Sequence, residues 1–493
     1  MAEDITQLRE ELSILRQQNV ALKHIIALLK KDKYGAKSER IDLPQDQLLF
    51  NELEIEATPE APEQTELIPG YTRKKKGRGT RKPFPKNLPR EEVIIDLPDS
   101  EKICPHDGTV LKPIGEEVTE KLKAVPAQLS VVVEKKIKYA CPTCSEHMTQ
   151  AKSNSILPGT IATVELIAFL IFSKFFQGLP LYRIEELFKM NSVDLKRGTM
   201  ASWLIRVAEK LQPVWNILEE WAQASGYVGI DATSVQVLKE EGRKPETKSF
   251  MWARGSPELG IVLFDYNVSG AGRVAKQLIT GYSGALQADA HRGYDQLSDV
   301  LRLGCMMHSR RRFYEAYLAA KKSPGLAQDA MSLIKKLYRF EELYKEQALS
   351  PAQRFEMREL QVRPHLEKIK KWCSDHRRKL LPGGPLGIAI NYYLDEYDHL
   401  TAFLKEGRFE IDNGWIERAI RKFAIGRNNW LFCDSVDGAK ASSLFYSLVI
   451  TAKLNDKNPF EVMVEILNQI TSAESIDDYE RLARLLVKRP NLH

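Results

Sequence analysis

The chain has 493 residues, of which 43% are apolar, and a formal net charge of +6. That length exceeds one ordinary hydrophobic core and calls for several domains, and the apolar fraction excludes a wholly disordered chain. So mild a positive excess neither establishes nor excludes nucleic-acid binding, so the distribution of charge has to decide. Six cysteines are present, Cys104, Cys141, Cys144, Cys305, Cys373 and Cys433, and only Cys141 and Cys144 are close in sequence. That is no disulfide scaffold, and a reducing compartment is expected. The start MAEDITQLRE lacks the basic opening and apolar core of a signal peptide. The most apolar stretch, Leu166 to Ser173, is bounded by Glu165 and Lys174. It falls far short of the roughly 20 residues a membrane span needs. A soluble, cytoplasmic protein without a membrane segment is predicted.

Residues 1–40 form the first predicted element. Ile5, Leu8, Leu12, Leu15, Asn19, Leu22, Ile26 and Leu29 alternate three and four apart. This is a heptad seam with Asn19 at one a position, which favours a parallel dimeric coiled coil. An amphipathic helix packed on its own core is the plainer reading.

Residues 41–95 read as a linker. Its first part, 41–69, holds eight acidic residues and no basic ones. The next, 71–90, carries Arg73, Lys74, Lys75, Lys76, Arg78, Arg81, Lys82, Lys86 and Arg90 and no acid. A solvated linker and a segment that tracks a phosphate backbone both fit, and they are compatible.

Residues 96–155 contain Cys104-Pro-His106-Asp107 and Cys141-Pro-Thr-Cys144. Two Cys-x-x-Cys knuckles would supply four tetrahedral zinc ligands. Here Asp107 takes the place of the second thiol, so a Cys104, Asp107, Cys141, Cys144 zinc site and a finger-like domain without metal both remain open.

Residues 156–225 read as helical. An apolar helix covers Ala162–Phe176, a second runs to about Met190, and a third starts near Gly198. With Arg183, Lys196 and Arg197 beside the turns, a helix-turn-helix-like DNA-reading element is one reading and a simple packing unit the other.

From 226 to 309 the period changes. Strands are predicted over Tyr227–Leu238, Ser249–Arg254 and Leu259–Asp265, then a helix over Ala271–Thr280. A short strand over Ala285–Asp289, a helix over Tyr294–Leu301 and a strand over Gly304–Met307 follow. Three meandering strands and then alternating helix and strand is the order of an RNase-H-like mixed sheet. Residues 310–405 read as an inserted helical domain. Residues 406–470 return to the sheet domain as helix, a strand-like Asn429-Trp430-Leu431-Phe432, and helix. Residues 471–493 form a helical tail. The fold class expected is a multidomain α/β chain.

Within that order three carboxylates stand out. Asp231 interrupts the apolar run Val228-Gly-Ile-Asp-Ala-Thr, where an ionised side chain is costly to bury without a partner. Asp289 ends the apolar Leu286-Gln-Ala-Asp. In the predicted sheet the two lie side by side, which like charges resist unless a cation joins them. Glu417 lies about one turn into a helix capped by Asp412 or Asn413, and Asp412 is its rival as third ligand. Each residue also has a plainer reading: turn residue for Asp231, helix cap for Asp289, and surface pair with Arg421 for Glu417. Converging oxygen ligands suit two Mg²⁺ or Mn²⁺ ions, the arrangement that serves phosphodiester cleavage. Arg418, Arg421, Arg427 and Lys453 are candidates to contact DNA phosphates. Cys305 and His308 have metal-like spacing but no evident partner pair, and are expected to buttress the fifth strand.

These residues carry a family resemblance. The chain resembles the transposases of the insertion sequence 66 family along nearly its whole length. The matching pieces begin with Tyr34-Gly-Ala-Lys-Ser-Glu-Arg40, the cysteine segment and Leu179-Pro-Leu-Tyr-Arg183. They continue through Asp231-Ala-Thr233, Gln287-Ala-Asp289, Gly293-Tyr-Asp295, Gly304-Cys-Met-Met-His308 and Arg311-Arg312. They end with Asp412-Asn413…Glu417-Arg418-Ala-Ile-Arg421, Gly426-Arg-Asn-Asn-Trp430 and Thr451-Ala-Lys-Leu-Asn455. The resemblance implies that Asp231, Asp289 and Glu417 are the catalytic triad and that the helical stretch is an insertion before the third acid. It further implies a bacterial, nucleoid-associated enzyme acting on transposon terminal repeats and target DNA. End recognition by the N-terminal region, a homodimer or larger assembly, and accessory proteins of the same element are also implied. Asp107 departs from the family pattern, which has Cys there. The rival readings are a catalytically silent, transposase-derived DNA-binding regulator, a nuclease that cuts without joining, and a coiled-coil scaffold with a zinc module.

Overall fold

The computed structural model describes residues 129–135, 138–140, 148–150, 155–290, 293–294, 299–320 and 325–488. The predicted coiled coil, the charged linker with Arg73 to Lys82, and Cys104, Asp107, Cys141 and Cys144 lie outside these residues. The elements that follow belong to one compact unit.

A small antiparallel pair, β1 (Lys138–Ala140) and β2 (Met148–Gln150), comes first. Three helices follow as expected: α1 (Val164–Ile171), α2 (Leu181–Met190) and the long α3 (Arg197–Ala224). The mixed sheet then begins with β3 (Tyr227–Lys239), β4 (Lys248–Ser256) and β5 (Ile261–Asn267), an antiparallel meander. After α4 (Gly272–Leu278), β6 (Ala285–Gln287) and β7 (Leu301–Leu303) add in parallel beside β3, giving the order β5-β4-β3-β6-β7.

The helical stretch comprises α5 (Met306–Ala319), α6 (Leu326–Glu346), α7 (Pro351–Met357), α8 (Arg363–Arg377), α9 (Pro385–Asp395) and α10 (Tyr397–Thr401). The chain returns to the sheet with α11 (Gly414–Trp430), β8 (Cys433–Ser435), α12 (Val436–Leu454), α13 (Pro459–Gln469) and α14 (Ile476–Arg484).

Two expectations are corrected. The fifth strand is Leu301–Leu303, not Gly304–Met307, and Leu301 is a strand residue rather than the end of a helix. Cys305 instead takes the N-cap position of α5, whose first turn absorbs Met306 and Met307. Gly304 has to approach the backbone of Leu400 closely: a Cβ there would stand 3.0 Å from the Leu400 nitrogen. The strand-like Asn429–Phe432 is likewise not a strand. α11 runs through Trp430, Leu431 ends it at a positive φ of 67°, and β8 starts at Cys433.

Alternation along β3 divides its side chains between two cores. Val228 and Ile230 pack with Trp252, Val274 and Leu286 on one face. Val235 and Val237 pack on the other with Met251, Ala253, Ile416 and Phe423, joining the large core of α1, α3 and α11 to α14. By the same period Asp231 lies on the face that α11 covers. A third core binds the inserted helices to Tyr227, Ala285 and Leu303.

The exposed edge of the sheet is closed by side chains. Ser447 Oγ of α12 accepts from the Phe264 amide (2.7 Å), and Thr451 Oγ1 accepts from the Val262 amide and donates to its carbonyl (both 3.1 Å). The hydroxyls stand where a further strand would pair, so α12 removes the sticky edge of β5.

The inserted helices are anchored by fully buried Arg358. Its guanidinium grips both Glu341 oxygens (2.9 and 2.7 Å) and donates to the carbonyls of Phe403, Glu406 and Phe409. Arg358→Met would strand the Glu341 charge and three carbonyls. It is expected to cost about 3–5 kcal/mol in denaturant unfolding, and adding Glu341→Leu should recover much of it. A loss below about 1 kcal/mol for the single variant would contradict this anchor.

Candidate active site

Along one edge, β3 pairs with β6 only through Gly229, and with β8 only from Val237. Between these points its carbonyls need partners from elsewhere, and α11 supplies them. Asn413 Nδ2 donates to the Ile230 carbonyl at 2.9 Å. One turn before the end of the same helix, Arg427 Nη1 donates to Thr233 Oγ1 (3.0 Å) and to the Ser234 carbonyl. The helix therefore lies along the opening in the sheet, clamped at both ends. Gly229 makes the close approach feasible, since a Cβ there would stand 2.5 Å from Asn413 Oδ1 and 2.7 Å from the Trp415 ring.

The segment leading into α11 is held just as firmly. Tyr227 Oη donates to Gln287 Oε1 (2.6 Å) and accepts from the Glu410 amide (3.0 Å), while Gln287 Nε2 donates to the Glu410 carbonyl (2.8 Å). The Met306 amide donates to the Ile411 carbonyl and the Asn413 amide to Cys305 Sγ, both at 3.3 Å. Residues 410–413 are thus stitched to β3, to β6 and to the start of α5.

This scaffold brings Asp231 and Glu417 together. Burial pushes the Asp231 carboxyl up to about 7, and the charges of Glu417 and Asp289 push in the same direction. Burial also lifts Glu417 to about 7, with Arg311 opposing and Asp412 adding to the rise. The β3–β6 register aligns Gly229 with Gln287, so two residues further on Asp231 is level with Asp289. Asp231 thus feels the charges of both Glu417 and Asp289, and a cation relieves such repulsion. Oxygen donors alone suit a hard divalent ion such as Mg²⁺ or Mn²⁺, so the residues present fit the metal that the sequence implies.

Asp412 is engaged differently. Its Oδ1 accepts from the Gly414 amide (2.9 Å) and its Oδ2 from the Tyr338 hydroxyl (2.8 Å), so both oxygens serve the start of α11 and its join to α6. Around the carboxylates sits a basic rim. Arg311 acts on Asp231 and Glu417, and Arg421 on Glu417. Arg418 is exposed on the same helix. Arg427, expected at a phosphate, is turned toward β3.

Asn413, Tyr227 and Gln287 were not singled out for a role in holding the site. Sequence offers Asn413 as a helix cap, yet its side chain makes no capping bond and reaches into β3 instead. Cys305 and His308, expected beside the fifth strand, lie at the start of α5 facing Glu417. Cys305 Sγ is 3.8 Å and His308 Nδ1 3.7 Å from Glu417 Oε1. Their spacing of three was the signal, and Glu417 is the partner that sequence could not supply.

The raised carboxyl pKa values have a definite sign. Between the usual carboxylate range and pH 7 the native state holds protons that the unfolded chain has released, so the metal-free protein loses stability as pH rises through that window. Melting in EDTA should fall by a few degrees from pH 5 to pH 8, and by less in Asp231→Asn. Mg²⁺ should raise the melting temperature more at pH 8 than at pH 5. Equal pH slopes for the two proteins, or an equal Mg²⁺ effect at both pH values, would contradict the cluster.

A family model described as "Transposase IS66 family" matches residues 159–441. Residues 21–93 match a model described as "Transposase C of IS166 homeodomain", and residues 101–145 one described as "zinc-finger binding domain of transposase IS66". Among similar proteins, uncharacterized protein y4jD of Sinorhizobium fredii is 29% identical over 490 residues, covering 95% of this chain and 94% of the relative. Uncharacterized protein y4hP of the same organism is 27% identical over 497 residues, covering 94% and 88%. No solved structure matches. The first model spans more than half of the chain and encloses the carboxylate cluster, and the chain belongs to the IS66 transposase family.

Proposed function

We propose that this transposase hydrolyses the phosphodiester at the ends of its element and joins the freed 3′-hydroxyl to target DNA, using Asp231, Asp289 and Glu417. The observation that carries the reading is that half-buried Asp231 on the middle of β3 is raised by burial and by the charges of Glu417, one turn into α11, and of Asp289. The sheet order β5-β4-β3-β6-β7 supports an RNase-H-like core, with the helices from 310 to 405 as an insertion ahead of Glu417.

In this reading the three carboxylates hold two divalent ions, which when bound supply Lewis-acid activation of the attacking oxygen and charge relief on the leaving one. The protein contributes position. Asn413 and the Tyr227–Gln287 pair fix the helix that carries Glu417, so the donors need no rearrangement when substrate arrives. Asp412, with both oxygens engaged, is left out of the ligand set. Arg311, Arg418 and Arg421 hold phosphates beside the scissile bond. Attack by water breaks the bond between phosphorus and the 3′-oxygen and leaves a 3′-hydroxyl, and that hydroxyl then displaces a 3′-oxygen of target DNA.

The basic residues Arg73, Lys74, Lys75, Lys76, Arg78, Arg81 and Lys82 would add phosphate contacts. Cys104, Asp107, Cys141 and Cys144 would hold a structural zinc. Two ends must be paired, so a dimer or larger assembly is proposed, with the heptads of residues 1–40 as one means and accessory proteins of the element as helpers. No helix among the described residues is long and apolar enough to cross a membrane. Work on chromosomal DNA would place the enzyme in the bacterial cytoplasm at the nucleoid.

A labelled DNA end of the element, incubated with the chain and Mg²⁺, tests this. Nicking and joining should appear with Mg²⁺, vanish in EDTA, and vanish in Asp231→Asn, Asp289→Asn and Glu417→Gln while DNA binding persists. Asn413→Ala should bind DNA and cut about 10–100-fold more slowly, as loss of a supporting group does. Binding without cleavage by the native chain, even with accessory proteins, would favour the silent regulator.

A further inference from the structure

We propose that Cys305, His308 and Glu417 form a second, softer metal site that takes Zn²⁺ and shares Glu417 with the carboxylate cluster. The three ligand atoms lie within 4.8 Å of one another, with the cysteine buried and the other two half-buried. Cys305 occupies the N-cap of α5 and His308 stands three residues on, so one face of the first turn presents both. Glu417 approaches from α11, its Oε1 3.8 Å from Cys305 Sγ and 3.7 Å from His308 Nδ1.

Those separations are close to what zinc requires. Bonds of about 2.3 Å to sulfur and about 2.0–2.1 Å to nitrogen or oxygen, set tetrahedrally, put ligand atoms about 3.3–3.6 Å apart. The two separations from Glu417 need a contraction of only a few tenths of an ångström, and the cysteine and histidine atoms lie within 4.8 Å of each other.

Two further features point to a ligand. His308 Nδ1 is buried and has no hydrogen-bond partner, a state that costs stability in a histidine that only packs. The Asn413 amide donates to Cys305 Sγ at 3.3 Å, the kind of outer hydrogen bond that steadies a metal-bound thiolate. A cysteine filling core space explains neither. Thiolate and imidazole select Zn²⁺ over Mg²⁺. Three protein ligands leave a fourth position open, so the ion would exchange with solvent. If Glu417 also serves the cleavage chemistry proposed above, Zn²⁺ here would draw one carboxylate oxygen away from the hard ions and oppose Mg²⁺.

The test uses the full chain carrying Cys104→Ser, Cys141→Ser and Cys144→Ser, so that the N-terminal cysteines contribute nothing, with Co²⁺ as the spectroscopic probe. A thiolate-to-cobalt absorption band saturating at one equivalent is expected, bleached by Zn²⁺ and retained, with weakened Co²⁺ affinity, when Mg²⁺ is added. Cys305→Ser should abolish the band, and His308→Gln should weaken Co²⁺ binding by at least about 10-fold. Circular dichroism monitors folding. Should Cys305→Ser fail to fold, His308→Gln decides. The proposal is overturned by the absence of a thiolate band in the parent, or by a band and affinity unchanged in His308→Gln. The readout is metal absorption, so failure here is distinguishable from failure to cleave DNA.

Discussion

The structure turns on an unfinished edge. On the edge away from β4, β3 is paired at one end by β6 and at the other by β8, and the stretch from Ile230 to Ser234 between them has no strand on that edge. Backbone carbonyls in that position must be satisfied or solvated. Asn413 takes the first and Arg427 the last, and these two bonds fix the path of α11 across the face on which Asp231 stands. Glu417 lies between the two clamps. Its position follows from closing the sheet, and Gly229 makes the approach sterically feasible.

The arrangement stores repulsion where the chemistry is proposed to occur. Burial and neighbouring acids lift Asp231 and Glu417 together to about 7, so the metal-free cluster is destabilised near neutrality. Two buried arginines, by contrast, are met by protein partners. Arg358 meets Glu341 and three carbonyls, and Arg254 meets Glu219 and Asp265. The contrast sets these ion pairs, whose partners are protein, against Asp231 and Glu417, whose carboxyls burial lifts. Asp412 shows how the fold withholds a nearby acid by engaging both of its oxygens.

Much of this was legible in the sequence. A lone Asp in an apolar strand and another at the end of a short apolar run announced themselves, because burying a charge without compensation is expensive. The meander and the long helical stretch followed from changes of period. What failed were boundaries set by tertiary contacts. Leu301-Arg302-Leu303 is too short and too polar to read as a strand, and Cys305-Met-Met looks like one until the close approach of Gly304 to Leu400 is known. α11 ends at Leu431 with positive φ, where no glycine marks the stop. The bond from Asn413 to Ile230 joins residues 183 apart, and the contact of Cys305 with Glu417 joins residues 112 apart. No periodicity reports such pairings.

The most direct measurement is anomalous scattering from crystals of the protein grown with Mn²⁺. The account predicts manganese density bounded by the carboxylates of Asp231, Asp289 and Glu417, with Asp412 still bonded to Gly414 and Tyr338. Manganese bound by Asp412 in place of Glu417, or no manganese at this cluster under saturating ion, would contradict it.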